Sequence, residues 1–497
     1  MSASSSSSSS PVFERDLFIN NTWRPGSSGE RIAVVDPATE KEIGSAAAAA
    51  FEDIDAAVAA ARTAFDSGPW PRLTLRERAG ILTRFAEELE KDADPVTEVL
   101  VAETGLTVGQ SRGGALTMPG LLRYYASLAD TTELTELRTG LSGVSARIEK
   151  RPVGVVAAIV PWNAPLALAA FKLPQALLAG CTVIMKPSED TPLSAGYFAD
   201  AALRAGLPAG VLNIVNALPA GGDYLVRHPG VDKITFTGST VVGRRIAAAA
   251  ADTLKQLTLE LGGKSPALVL DDADLDRIVE TLVPGVTGNN GESCTNPSRL
   301  IVPEHRHDEI VGALAEAFAE LTVGDPRDPA TDVGAMVTRK HYERVLDYLA
   351  SAEKEGGTFA VGGGRAPGHD VGYYVAPTII TGVSPDAKVA QEEIFGPVLT
   401  VLTYRDEAEA IRIANHTEFG LSGAVYSTDT ERALRVAQQI HAGTVNLNNG
   451  IGVDIGVPFG GVKQSGYGRE LGPEGLDAFF NTHVIFLNGE PLRVISG

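Results

Sequence analysis

The sequence predicts an α/β protein with two parallel-sheet domains, and three observations carry that prediction. The chain has 497 residues, more than a single hydrophobic core spans. From residue 153 onward short β-rich runs alternate with helical stretches, the order that builds a parallel sheet covered by helices. A second series of the same kind begins near residue 263. Hydrophobic residues make up 44% and charged residues 21%, ordinary for folded domains, while 53 Gly and 29 Pro supply the turns that many short elements need.

Residues 1–16 read as a disordered tail. The stretch 1–10 is nearly all serine and lacks the basic start and apolar run of a secretory signal. Residues 51–65 and 74–92 are amphipathic helices, with Ile54, Val58 and Phe65 on one face of the first and Leu75, Ala79, Leu82, Phe85 and Leu89 on one face of the second. Strands are expected at 153–160, 181–185, 211–215 and 233–237, separated by helices at 164–179, 193–205, 223–228 and 240–254. The second series starts with a strand at 267–270 and Asp272 as helix N-cap. It continues with a strand at 300–302, helices at 309–321 and 342–355, a strand at 398–404 and a helix at 408–414. Strands at 146–151 and 482–487 stand outside the first sheet with no sheet of their own, which invites pairing between subunits. The division is therefore 17–130 with 152–262 as one domain, 263–477 as the second, and 131–151 with 478–497 as a small β oligomerisation extension. No internal repeat is present.

A net charge of −20, from 42 basic and 62 acidic side chains, argues against nucleic-acid or anionic-membrane partners. The most apolar region, 153–171, is interrupted by Pro161, Trp162, Asn163 and Pro165, so no transmembrane segment is expected. Two cysteines, Cys181 and Cys294, make no disulfide framework and point to free thiols in a reducing, cytoplasmic setting. His305 and His307 are one residue apart at the start of a charged helix and lack a ligand motif, so no metal site is expected.

Cys294, in Gly291-Glu292-Ser293-Cys294-Thr295, and Glu260, in Leu259-Glu260-Leu261-Gly262-Gly263-Lys264, supply a soft nucleophile and a carboxylate base. A thiolate attacks a carbonyl carbon, and a carboxylate beside it activates water to release the acyl group, so the pair covers both halves of an acyl-enzyme cycle. Taken alone, each cysteine is also an ordinary small hydrophobe, and Cys181, inside an apolar run, keeps that reading. A Gly-x-Gly-x-x-Gly fingerprint is absent. In its place Phe236-Thr237-Gly238-Ser239 ends a strand and leads into a helix whose first N–H groups suit a phosphate. Lys186-Pro187-Ser188-Glu189 follows another strand, where Lys and Glu suit ribose hydroxyls or form a solvated pair.

Together these segments resemble the NAD(P)-dependent aldehyde dehydrogenase superfamily from about residue 17 to residue 487. The resemblance rests on Pro161-Trp162-Asn163-Ala164-Pro165, Lys186 to Glu189, Phe236 to Ser239, Leu259 to Pro266, Gly291 to Cys294, Glu392-Glu393-Ile394-Phe395-Gly396-Pro397 and Pro458-Phe459-Gly460-Gly461 in this order. It implies a Rossmann-like cofactor domain, a catalytic domain, a small-molecule aldehyde substrate and a homodimer or homotetramer. Cys294 would then be the nucleophile, Glu260 the base for thioester hydrolysis, and Asn163 with the Cys294 N–H the oxyanion donors. Lys172 and Glu470 match proton-relay positions, although on residue type alone they also suit a surface salt bridge. Ile159, Val160, Pro161, Trp162, Lys186, Ser188, Glu189, Phe236, Gly238, Ser239, Val242, Leu261, Glu393 and Phe395 would hold the cofactor. Ala164, Leu168, Phe171, Gly288, Ser293, Thr295 and Phe459 would line the substrate pocket.

The departures from the family pattern are informative. Glu292 replaces a frequent Gln, and a charge facing the thiol there would shift activity to alkaline pH. Asn216-Ala217-Leu218 replaces a Gly-x-Gly turn over the adenine. Ala164 and Gly288 stand where many members carry aromatics, so a medium or bulky apolar aldehyde, aromatic or terpenoid, is expected over acetaldehyde. Glu189 favours NAD, because a carboxylate accepts from a 2′-hydroxyl and repels a 2′-phosphate, while Lys186 keeps NADP open. The alternatives are a CoA-acylating relative, which Glu260 opposes, and an inactive structural homologue, which intact Cys294, Glu260 and Asn163 oppose.

Overall fold

The computed structural model describes residues 13–450 and 452–487, and its architecture is the expected α/β class. An eight-stranded sheet runs Gly466–Tyr467, Gln256–Glu260, Lys233–Thr237, Val155–Ile159, Thr182–Lys186, Leu212–Ile214, Leu17–Ile19 and Thr22–Arg24. The strands from Gln256–Glu260 to Leu212–Ile214 pair in parallel, and the outer ones are antiparallel. Helices cover both faces, so Val155–Ile159, Thr182–Lys186 and Lys233–Thr237 are buried at every residue, as their unbroken β-rich runs require. After the edge strands Leu17–Ile19 and Thr22–Arg24, the parallel part of this sheet starts at Val155–Ile159, builds outward through Thr182–Lys186 and Leu212–Ile214, then crosses to the other side for Lys233–Thr237 and Gln256–Glu260. Connections leaving Val155–Ile159 and Lys233–Thr237 therefore diverge, and a crevice opens between them at the carboxyl ends of the strands.

The helix expected at 74–92 forms as Leu75–Lys91. Its capping box is reciprocal: Thr74 Oγ1 accepts from Glu77 N, and Glu77 Oε2 accepts from Thr74 N at 2.7 Å. The five apolar residues spaced along it are all buried. The helix expected at 164–179 is instead two, Pro165–Ala170 and Leu173–Ala179. Pro174 has no N–H to donate, and its ring would strike the carbonyl of residue 170 in a continuous helix. The break leaves Lys172 in non-helical backbone with its side chain wholly buried.

A seven-stranded sheet runs Thr358–Val361, Thr378–Thr381, Val398–Tyr404, Pro297–Pro303, Ser265–Val269, Ser422–Tyr426 and Thr444–Leu447, parallel except for its first strand. Asp272 is not the N-cap of the helix that follows Ser265–Val269. Asp274, next to the apolar period of Leu275–Thr287, caps it by accepting from Arg277 N at 3.2 Å, and Asp272 instead accepts from Ser427 Oγ, Thr428 N and Asp429 N.

Three further corrections concern the chain ends. Phe13–Arg15, placed in the tail by the sequence, pairs in parallel with Lys41–Ala47, and Arg31–Asp36 completes a small sheet that the sequence reading lacked. Residues 1–12 of that tail lie outside the described residues. The strands at 146–151 and 482–487 do have a sheet of their own: Ser145–Pro152 pairs with Phe480–Leu487 and with Thr135–Thr139, all antiparallel. Residues 488–497 of the expected extension are again outside the description. Finally, Gly466–Tyr467 returns to the first sheet beside Gln256–Glu260, so the second domain does not run unbroken from 263 to 477. Among the described residues no helix is long and apolar enough to cross a membrane.

Candidate active site

The crevice at the switch point is a cleft of about 620 Å³ that opens to solvent. The carboxyl ends of the first sheet supply one wall: Pro161, Trp162 and Asn163 after Val155–Ile159, Thr237 at the end of Lys233–Thr237 with Gly238 and Ser239 after it, and Leu261 and Gly262 after Gln256–Glu260. The second domain supplies the other wall from the amino ends of its strands. Cys294 precedes Pro297–Pro303, and Glu393 and Phe395 precede Val398–Tyr404. His341 and Arg344, from the helix Arg339–Lys354, complete the lining with Leu168.

Cys294 is half-buried and follows a strained loop in which Asn289, Asn290 and Gly291 all have positive φ. Left-handed backbone costs a non-glycine residue about 1–2 kcal/mol, so such a run persists only where its surroundings hold it. Asn290 does so: its Nδ2 donates to Gly105 O and Ala335 O, both at 3.0 Å, and its Oδ1 accepts from Gly334 N at 2.8 Å. Burial, then the charges of Glu393, Glu260 and Glu470, push the Cys294 thiol above its usual range. Gly262 and Gly263 let three segments close on one another. A Cβ on Gly262 would lie 2.6 Å from Glu393 Oε2, and one on Gly263 would lie 2.2 Å from Cys294 O.

Glu260 ends its strand with its carboxyl buried and neither oxygen hydrogen-bonded. Burial, and next the like charge of Glu470, raise its pKa well above the usual carboxylate range. Behind it Lys172 Nζ donates to Glu470 Oε1 at 2.5 Å and to Thr237 Oγ1 at 2.6 Å, while Thr235 Oγ1 donates to Glu470 Oε1 at 3.1 Å. Lys172 and Glu470 are thus a buried pair, not a surface salt bridge, and Glu470 Oε2 has no partner. Asn163 is buried, and its Nδ2 donates to Glu292 O at 2.8 Å, which leaves one amide N–H uncommitted.

Glu292 does not act on the thiol. Its Oε1 accepts from Val337 N at 3.0 Å and lies 3.7 Å from His341 Nε2, and the charges bearing on Cys294 come from three other carboxylates. Burial raises the Glu292 carboxyl well above the usual carboxylate range, and its bond from Val337 N anchors the loop.

At the Gly238 turn, Ser239 Oγ caps the helix Thr240–Ala250 by accepting from Val242 N at 3.4 Å. Phe236 and Leu261 are buried beneath this turn, and a Cβ on Gly238 would fall 2.5 Å from the Phe236 ring. Lys186 Nζ donates to Pro187 O at 3.1 Å and lies 3.3 Å from Glu189 Oε2, with Ser188 buried beside them at the end of Thr182–Lys186, two strands away from Lys233–Thr237. Glu393 Oε1 accepts from Gly263 N at 2.8 Å. Ile159 and Val160 are buried under the Pro161 turn and do not line the cleft. Of the residues expected to line the substrate pocket only Leu168 lines this cleft; Phe171 and Phe459, outside its lining, meet edge to face at 6.2 Å. Ala164 precedes the Pro165–Ala170 helix, Ser293 Oγ and Thr295 Oγ1 bond at 3.1 Å, and a Cβ on Gly288 would meet nothing within 4 Å.

His341, Arg344, Thr237 and Gly262 line the cleft without having been singled out from the sequence. Thr237 and Gly262 lie inside quoted motifs and were within reach of that reading. His341 and Arg344 sit in an ordinary amphipathic helix, where no spacing marks them.

The Aldehyde dehydrogenase family model matches residues 23–485. The chain belongs to the aldehyde dehydrogenase family. It is accordingly an oxidoreductase of the class that acts on aldehydes. Geranial dehydrogenase of Castellaniella defragrans is 43% identical over 479 residues, which is 96% of this chain and 100% of that protein. Aldehyde dehydrogenase 1 of Tanacetum cinerariifolium is 41% identical over 472 residues, 94% of each chain. Among solved structures, the NAD+ complex of a Mycobacterium tuberculosis aldehyde dehydrogenase superposes with a TM-score of 0.94 at 42% identity, covering 97% of this chain and 100% of that one. The NAD+ complex of a Bacillus cereus aldehyde dehydrogenase gives 0.93 at 37% identity, covering 96% and 97%.

Proposed function

We propose that this aldehyde dehydrogenase oxidises a medium or bulky apolar aldehyde to its carboxylic acid with NAD, through an acyl group held on Cys294. One observation carries the reading: a half-buried thiol lines the cleft, and a buried carboxylate with both oxygens free, Glu260, bears on that thiol from the strand end whose next residues, Leu261 and Gly262, line the same cleft. The residues present suit a dinucleotide. Gly238 leaves its backbone bare, the capped Thr240–Ala250 helix presents its N-terminus, and Glu393 is held at the cleft wall. An oxidised nicotinamide bound beside Glu393 and Phe395 supplies the hydride acceptor.

Cys294 attacks the carbonyl carbon as thiolate, forming the C–S bond and placing the negative charge on oxygen. The uncommitted Asn163 N–H and the Cys294 backbone N–H donate to that oxygen, a donor of this kind being worth about 3 kcal/mol. Loss of hydride from the adduct restores the carbonyl as a thioester. Glu260 then takes a proton from water, the hydroxide adds, the C–S bond breaks and the acid leaves. Lys172 and Glu470 form the next seat for the proton Glu260 has taken. Lys186 and Glu189 suit the adenosine ribose, and Glu189 favours NAD while Lys186 leaves NADP a weaker alternative.

Two observations support an apolar substrate of some size. A Cβ added to Gly288 would meet nothing within 4 Å, and the Castellaniella defragrans relative is named for geranial, a terpenoid aldehyde. A screen of aldehydes with NAD and NADP tests this. A higher kcat/KM for a C8 or aromatic aldehyde than for acetaldehyde is expected, by about tenfold or more, with release of free acid in the absence of coenzyme A. Acetaldehyde as the better substrate would remove the substrate assignment.

Self-association through the Phe480–Leu487 strand is part of the same proposal. That strand forms one edge of its sheet and exposes Val484, Ile485 and Phe486.

A further inference from the structure

Three rings from three separate segments meet at the cleft. Trp162 comes from the turn after Val155–Ile159, His341 from the first turn of Arg339–Lys354, and Phe395 from the segment before Val398–Tyr404. Their centroids are 5.0 Å apart for Trp162 and His341, 5.4 Å for Trp162 and Phe395, and 5.7 Å for His341 and Phe395. His341 is only 7% exposed, and its Nε2 lies 2.6 Å from Phe395 O. A carbonyl can only accept, so Nε2 carries the proton and donates. Burial pushes the imidazole down to about 4, which keeps the ring neutral.

The residue gripped in this way is a strained one. Phe395 has φ +67°, a conformation that a bulky side chain adopts at a cost and keeps only when its neighbours impose it. Two further contacts tie the same corner to the nucleophile loop. Glu292 Oε1 accepts from Val337 N, just ahead of the His341 helix, and a Cβ on Gly291 would lie 2.1 Å from Gly396 C and Pro397 N. The backbone before Cys294 thus rests directly on the segment that follows Phe395.

We propose that His341 is a positioning residue: its Nε2–H grips the Phe395 carbonyl, and its ring, packed between Trp162 and Phe395, fixes the cleft wall that receives the nicotinamide end of the cofactor. The identity of that cofactor rests on the function proposed above, whereas the grip itself does not. Without the donor, Phe395 relaxes toward ordinary backbone and the wall loosens. The cofactor then binds more weakly, while the thiol and the Glu260 carboxyl keep their places.

His341→Leu fills the space and removes the donor; His341→Gln offers an amide N–H in its place. Two measurements separate the grip from its consequence. Hydrogen exchange of the backbone amides at 394–398, in the cofactor-free protein, reads the grip. NAD titration followed by quenching of tryptophan fluorescence reads the wall. The leucine variant is expected to exchange faster at 394–398 and to bind NAD about tenfold more weakly, as loss of one buried hydrogen bond predicts, with kcat changed less than KM for NAD. Glutamine is expected to restore most of both. Unchanged exchange at 394–398 in the leucine variant, or glutamine no better than leucine, overturns the proposal. Absence of NAD binding by the unmodified protein would strike the proposed cofactor and leave the exchange result to decide the grip.

Discussion

Glu260 and Glu292 are equally buried, at 2% and 1% exposure, yet the two regions around them are built in opposite ways. Glu292 has a backbone donor in Val337 N and sits beside a neutral imidazole, away from any charge acting on the thiol. Glu260 has no hydrogen bond on either oxygen and a second carboxylate, Glu470, as its strongest electrostatic neighbour. Burying a polar group without a partner costs about 1–3 kcal/mol and a charge considerably more, so folding alone does not favour the Glu260 arrangement. The contrast is that burial alone does not single out a carboxylate as the proposed base; unsatisfied burial at the carboxyl end of a parallel strand is what supports Glu260 in that role.

The largest effect expected from this contrast concerns the two thiols. Cys181 is fully buried, its Sγ lies 3.6 Å from Phe479 O, and burial pushes its thiol up to about 11. Cys294→Ala is expected to abolish turnover, whereas Cys181→Ala retains it and costs only some stability. Assay of both variants with the best aldehyde from the screen decides this, and activity surviving the loss of Cys294 would end the covalent account.

The smallest effect is expected at Glu292. Its folded-state pKa is raised, so its favourable contribution is complete below the unfolded value and is lost as pH rises through the folded one. Glutamine mimics the protonated acid and cannot ionise. Glu292→Gln should therefore leave the pH dependence of turnover where it is and make the fold more resistant to alkaline pH, as thermal unfolding across a pH series would show. A turnover profile displaced toward acid pH would instead reinstate Glu292 as a charge on the thiol.

The parallel sheets were legible because strands buried on both faces read as unbroken β-rich runs, and the site was legible because its residues cluster in short motifs at strand ends. What escaped reading had local reasons. Phe13–Arg15 is three residues long and adjoins a serine tract, so its parallel pairing with Lys41–Ala47 leaves no local signal. Asp272 and Asp274 both stand just ahead of one helix, and only the packed geometry selects Asp274. Sequence named Glu292 but not its rotamer, and the rotamer decides between acting on a thiol and holding Val337. His341 adjoins the buried Tyr342 on a helix of otherwise common amphipathic pattern, and its inward turn toward Phe395 depends on a segment more than fifty residues away.

The central claim, that Cys294 and Glu260 serve successive steps at one carbonyl, is tested most directly by rapid mixing of Glu260→Gln with NAD and aldehyde. Loss of the base should spare acylation and slow hydrolysis by about 10²–10⁴-fold. The expected trace is a burst of NADH approaching one equivalent per active site, followed by a near stall with the acyl group still on Cys294. Steady turnover at the unmodified rate, or a loss of the burst itself in a folded variant, would contradict the division of labour between the two residues.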